Sequence, residues 1–180
     1  MSILGLIAGL FFLEEKLSQW FAKNYSLVNI YYYGGIHSEK SFFDSHSEYK
    51  NNTSSVNHFL LKQYRKDKER FFKKLKSYNI IVRQKEIWSV YDNTKGTYNL
   101  KCNCDVELTV DALDRIQDYQ QIILCSGDGD FARLIRYLKN KGKITTVLSI
   151  KQRTSGILKK ATNNLIYLHT LKHLIEFTRP

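Results

Sequence analysis

The chain has 180 residues, 43% of them hydrophobic and 25% charged, with a formal net charge of +11 and one proline. That apolar content supports a buried core and excludes an intrinsically disordered chain, while three cysteines are too few, and odd in number, for a disulfide scaffold. Reduced thiols suit a cytoplasmic setting, and the excess of base predicts an anionic partner, either nucleic acid or an acidic membrane surface.

In chain order, Ile3 to Leu13 is the one stretch that resembles a targeting or membrane segment. It is shorter than the roughly 18 to 20 residues that span a bilayer, no base precedes it, and Glu14 and Glu15 follow it. A buried strand over Ile3 to Gly9 and a helix over Leu10 to Lys23 are expected instead, in a protein that does not enter a membrane. Leu27 to Tyr33 is β-branched and aromatic and reads as a second strand, ending at Gly34 and Gly35. Residues 36–55 are polar and predict an exposed loop. Leu60, Tyr64, Phe71, Leu75 and Tyr78 fall near one face of a helix that ends at about Tyr78. Ile80 to Trp88 is a strand, and Tyr91 to Asn99 a turn-rich connection.

Asp105 to about Tyr119 has helical spacing, and Gln121 to Cys125 is a short apolar strand. Gly129 to Asn140 is a helix closed by Gly142. A strand at Ile144 to Leu148, a short helix near Ser155 to Ala161, a strand at Leu165 to Leu168 and a terminal helix complete the chain. No repeat or linker divides it, so residues 1–180 read as one domain. Alternating strands and helices predict an α/β sandwich with a mainly parallel central sheet, whose ligands bind beyond the carboxyl ends of the strands.

Charge is segregated. Asp105 to Asp130 holds seven acids against one base, Arg115, whereas Lys62 to Lys76 holds eight bases and two acids, and Arg133 to Lys160 nine bases and no acid. Carboxylates that hold a cation, beside bases that hold phosphates, are what metal-assisted chemistry on a polyanion requires. Solvated helix faces would give the same runs. The segment Ser126 to Phe131 leaves the strand Gln121 to Cys125 and opens the next helix, so Asp128 and Asp130 lie at that strand's carboxyl end. Its glycines permit a sharp turn and the close approach of a metal ion or phosphate. Asp105 begins the preceding, antiparallel helix and belongs at the same end of the sheet. Three carboxylates therefore converge, a donor set suited to Mg²⁺ or Mn²⁺ and not to zinc. Taken singly, Asp128 reads more readily as a helix N-cap and Asp130 as a first-turn acid, a reading that their pairing beside Asp105 weakens. Asp111, roughly 9 Å further along the helix, is expected on a solvent-side face with Glu107, Asp114 and Asp118.

Lys101 to Leu113, followed by Gln121 to Lys143, resembles the NYN domain of the LabA-like type, a branch of the PIN-like nucleases. That family shows a Lys-Gly-Asn-x-Asp segment opening a helix, then a strand ending in Ser-Gly-Asp-x-Asp-Phe, then a helix and Gly-Lys before the next strand. The resemblance implies a Rossmann-like PIN/NYN three-layer sandwich and divalent-metal-dependent cleavage of RNA, single-stranded or structured. It places metal-binding, catalytic carboxylates at Asp105, Asp128 and Asp130. Lys101, Arg133 and the basic helix that includes Arg65, Lys66 and Lys73 are then expected to hold the phosphate backbone, with Ser126 bonding a ligand or orienting a carboxylate. Two positions depart from the pattern. Ala8 stands where an Asp is usual at the end of the first strand, which leaves a catalytically impaired RNA-binding or regulatory protein as the alternative, and Cys102 stands where Gly is usual.

Other signals are weaker. Cys102, Cys104 and Cys125 lack the spacing and the fourth ligand of a thiolate metal site. His169 and His173 stand four apart without the glutamate of a zinc helix, and His37, His46 and His58 fall in or near the polar loop. Tyr31, Tyr32 and Tyr33 could stack on bases, but strand aromatics are more often core. Phosphate-loop, dinucleotide and hydrolase-elbow motifs are absent. Self-association is left open.

Overall fold

A computed structural model describes residues 2–8, 19–21, 23, 26–45 and 54–171. Seven strands form one sheet: β1 (Ser2–Ala8), β2 (Ser26–His37), β3 (Ile80–Asp92), β4 (Thr97–Lys101), β5 (Gln121–Cys125), β6 (Ile144–Ser149) and β7 (Asn164–Tyr167). Their spatial order is β4-β3-β2-β1-β5-β6-β7, and every pairing is parallel except β3 with β4. The helices are α1 (Glu39–Ser45), α2 (Ser54–Ser77), α3 (Asp105–Asp114), α4 (Ala132–Asn140) and α5 (Gly156–Ala161), and residues 19–21 are helical as well.

The chain builds outward from β1 to β4, returns through α3, and pairs β5 on the other side of β1. Strand order reverses between β1 and β5, which opens a crevice at their carboxyl ends. Side chains on successive strand residues alternate between the two faces, and here both faces are buried. Tyr31, Tyr33, Ile122, Leu124 and Val147 join the core beneath α3, α4 and α5. Ile30, Tyr32, Ile123, Cys125 and Leu148 join a second core with Phe21 and with Phe72 and Leu75 of α2. The result is the expected three-layer α/β sandwich with a mainly parallel sheet. Tyr31, Tyr32 and Tyr33 are core residues, each no more than 3% exposed.

Several boundaries differ from expectation. β2 does not stop at Gly34 and Gly35 but pairs with β3 as far as His37 opposite Ile87. Residues 39–45, expected in a loop, form α1, which buries Ser41 and Phe42; the Ser38 hydroxyl accepts the Ser41 N–H at 3.1 Å and starts this helix. The buried positions of α2 are Leu61, Phe72 and Leu75, so its core face is turned slightly from the one expected. The stretch from Tyr91 to Asn99 is a β-hairpin. The Asp92 carboxylate ties its loop by accepting from Thr94, Lys95 and Asn99, and Gly96 closes it at φ 63°. The helix from Asp105 ends at Asp114 and passes into turns. Among the described residues no helix is long and apolar enough to cross a membrane.

Candidate metal centre

β5 ends at Cys125 and the chain turns at once into a short 3-10 helix, Gly129–Phe131, that leads into α4. This turn is held by its own polar groups. The Ser126 hydroxyl accepts the Asp128 N–H at 3.2 Å, and Asp128 Oδ1 accepts the Asp130 N–H at 2.9 Å. Asp128 is thus an N-cap, as one reading of the sequence had it. It also faces Asp130 and Asp105. The three carboxylates each offer an oxygen, and these oxygens lie within 4.8 Å of one another. Asp105 is the first residue of α3, and the Asn103 side-chain oxygen accepts its N–H at 2.7 Å.

Gly127 and Gly129 have ordinary negative-φ backbones, so a reversed φ is not what the turn requires. The requirement is space. A side chain at Gly127 would run into the backbone carbonyl of Arg153 and come within 2.9 Å of Ser149 Oγ, and one at Gly129 would meet Ser155 Oγ at 2.7 Å. The Ser155 N–H donates to the Gly127 carbonyl at 2.9 Å. The basic segment Lys151–Arg153 is thereby docked against the carboxylate turn, a contact between residues far apart in sequence.

Electrostatically the cluster is uncompensated. Among the described residues no Lys or Arg pairs with Asp105, Asp128 or Asp130. Partial burial, and then the negative charge of Asp128 and Asp130, push the Asp105 carboxyl above its ordinary range against the opposing effect of Asn103. Three clustered carboxylates at the carboxyl end of a parallel sheet offer hard oxygen donors that fit a metal cation.

Asp105 and Asp128 line a cleft of about 510 Å³ whose walls also include Ser126, His37, Tyr64, Lys68, Cys102 and Cys104. Ser126 therefore lies beside Asp105 and Asp128. Lys101 and Arg133 are exposed, at the end of β4 and on the first turn of α4. Arg65 and Lys66 line a separate hollow with Glu39, His58 and Lys62, and Lys73 is exposed. The base on α2 that does reach the cleft wall is Lys68, which the sequence left undistinguished within a run of lysines; its partial burial lowers its ammonium pKa. The helical period could have found it, because Lys68 lies one turn beyond Tyr64 on the inward side.

Asp111 does not share a free solvent-side face. Its carboxylate accepts Arg83 Nε at 3.0 Å and Nη2 at 3.1 Å, and the Tyr33 hydroxyl at 2.9 Å. Glu107 pairs with Lys85 at 2.6 Å, which holds its carboxyl below the usual range. The two acids serve to tie α3 to β2 and β3. Cys125 lies buried beneath the opposite face from α3, so the three cysteines do not converge. His169 stacks on Tyr167, while His173, His46, Glu14 and Glu15 lie outside the described residues.

The profile of the NYN domain family matches residues 12–171. The chain belongs to this family. The chain is 28% identical over 173 residues to the low amplitude and bright protein LabA of Synechococcus elongatus, covering 94% of this chain and 79% of that protein. It also shares its fold with a crystal structure of a protein of unknown function from Vibrio parahaemolyticus, at a TM-score of 0.62, 18% identity and 92% coverage of both chains. NYN domains are typically metal-dependent RNA nuclease folds, and the clustered Asp105, Asp128 and Asp130 of this one could bind a metal.

Proposed function

We propose that this NYN domain is a ribonuclease that hydrolyses RNA phosphodiester bonds with a divalent cation, Mg²⁺ or Mn²⁺, held by Asp105, Asp128 and Asp130. The observation that carries the reading is the convergence of three unpaired carboxylates within 4.8 Å at the reversal point of the sheet, inside a protein of net charge +11. A bound cation of this kind supplies an activated water and stabilises the charge that develops on the leaving oxygen.

The chain's own residues then divide the remaining work. The Ser126 hydroxyl and the Asp128 cap fix the turn, so the carboxylates are aimed before substrate arrives. Lys68 brings a cation to the cleft wall, and the exposed basic segment Lys151–Arg153 packs its backbone on the neighbouring Gly127. Lys101, Arg133 and the exposed bases of α2, Arg65, Lys66 and Lys73 among them, would extend the phosphate-binding surface. Tyr64 and His37 give the cleft aromatic faces.

A second reading, an RNA-binding protein that does not cleave, is favoured by Ala8. The register pairs Ile7 with Cys125 and Ala8 with Tyr33, so the backbone brings position 8 to the same carboxyl end of the sheet, with an alanine in place of the Asp of the family pattern. Incubation of the chain with labelled single-stranded and structured RNA separates the two. Ribonuclease action predicts cleavage with Mn²⁺ that is lost in EDTA and in Asp128→Asn. Cleavage that survives both rejects the metal mechanism. Tight binding without cleavage, converted to cleavage by Ala8→Asp, would favour the second reading.

A further inference from the structure

One wall of the carboxylate cleft carries a pair of thiols that the proposed reaction does not use. Cys102 and Cys104 flank Asn103 in the segment between β4 and α3, and their sulfurs lie 3.9 Å apart. Both line the cleft. They are not equivalent. Cys104 packs against the core beneath α3. Cys102 sits on the cleft side, close enough to Gly35 that a side chain there would meet its sulfur at 2.7 Å. Two lysines attend the pair: Lys68 shares the cleft wall with Cys102, and Lys85 donates to the Asn103 carbonyl at 2.7 Å, between the two cysteines. The thiolate is the form of a cysteine that reacts with peroxides, and both cysteines line the open cleft.

We propose that Cys102 and Cys104 are a peroxide-oxidised pair whose reversible disulfide displaces Asp105 and lowers the affinity of the carboxylate cluster for a divalent cation. The Cys102 thiolate attacks one oxygen of hydrogen peroxide and breaks the O–O bond; the departing hydroxide takes up a proton as water, and Cys102 becomes a sulfenic acid. The Cys104 sulfur then attacks the Cys102 sulfur, an S–S bond forms, and the sulfenic oxygen leaves with the Cys104 proton as a second water. Two thiols are oxidised by two electrons and one peroxide is reduced to two waters. A dithiol reductant reverses the step by exchange.

The consequence for the site follows from position. Closing the bond draws the sulfurs from 3.9 Å to about 2 Å. One residue separates the two cysteines, so the bond closes a small ring that includes the backbone between them and constrains it. That backbone includes Asn103, whose side chain holds the Asp105 N–H and whose carbonyl is held by Lys85. Asp105 follows Cys104 directly. The coupling to cation affinity rests on the proposed function, whereas formation of the disulfide does not.

The two parts can be judged separately in the full chain. Cleavage by trypsin after Lys101 and Arg115 releases a peptide, Cys102 to Arg115, that contains both thiols and excludes the buried Cys125. After peroxide treatment, quenching and denaturing alkylation, this peptide is expected two hydrogens lighter than its reduced form and unalkylated, with Cys125 alkylated. A peptide alkylated at both cysteines, or one carrying Cys102 overoxidised beside an alkylated Cys104, overturns the pair. With peroxide removed, Mn²⁺ affinity of the oxidised protein is expected to fall by about tenfold or more, to return with dithiothreitol, and to be insensitive to peroxide in Cys104→Ser. Equal affinity of the disulfide and dithiol forms overturns the coupling. Failure of the reduced protein to bind Mn²⁺ at all overturns the proposed function and the coupling with it, while the disulfide is still decided by mass.

Discussion

Asp128 carries two duties on one carboxylate. One oxygen caps the turn by accepting the Asp130 N–H, and the group also contributes to the cluster with Asp105 and Asp130. Without a cation, partial burial and then mutual repulsion make this cluster a cost to the fold, and together they raise the Asp105 carboxyl. The sign follows from linkage. A carboxyl raised in the folded state favours folding fully below its ordinary value of 3.8, and that contribution is lost as pH rises through the raised value. Asparagine at position 128 would keep a capping oxygen and remove one charge. Asp128→Asn is therefore expected to raise the metal-free melting temperature at neutral pH by about 2 °C, to flatten its decline across the Asp105 titration, and to abolish stabilisation by Mn²⁺. Thermal melts across pH check this, and a lower melting temperature together with retained Mn²⁺ stabilisation would contradict it. Asp111 shows what a sequence conceals at this scale. Its partners Arg83 and Tyr33 stand 28 and 78 residues away on neighbouring strands, so a helical wheel of α3 alone sets it among solvated acids.

The turn from β5 to α4 depends on a second element. Gly127 lies against the Arg153 backbone, and the Ser155 N–H bonds its carbonyl. Because the obstacle is main chain, it cannot swing aside. Gly127→Ala is expected to cost about 1–3 kcal/mol and to weaken Mn²⁺ binding by displacing Asp128, as measured by denaturant unfolding and by Mn²⁺ titration; a variant of wild-type stability and affinity would contradict the packing argument. The sequence displays glycines at positions 127 and 129, but their reason, close packing against Arg153 and Ser155 and not a reversed φ, depends on tertiary neighbours. The same distinction runs through the fold. β5 and β6, apolar runs bounded by turn residues, are legible because burial on both faces leaves no polar alternation. α1 was not, since its start rests on Ser38 and its burial on Phe42 within a stretch rich in polar residues. The β3–β4 hairpin was not, since its loop is organised by one carboxylate, Asp92, whose reach over Thr94, Lys95 and Asn99 is a matter of geometry.

Over the whole molecule, the net charge of +11 conceals an arrangement more specific than a basic surface. The acidic window is folded so that part of it, Glu107 and Asp111, is spent on ties to Lys85 and Arg83, while Asp105, Asp128 and Asp130 are left facing one another in the crevice where strand order reverses. Lys68 of α2 reaches the wall of that crevice, and the backbone of the basic segment after β6 packs on the turn that carries Asp128. The topology therefore turns separated runs of charge into an acidic centre with basic surroundings, and cation binding is the step on which the proposed chemistry depends. The most direct measurement is a titration of the full chain with Mn²⁺, the free ion being followed by electron paramagnetic resonance, in parallel with Asp105→Asn, Asp128→Asn and Asp130→Asn. The carboxylate centre predicts saturable binding by the unaltered chain that each substitution weakens strongly. Binding of equal strength in all four proteins, or none in the unaltered chain, would contradict it.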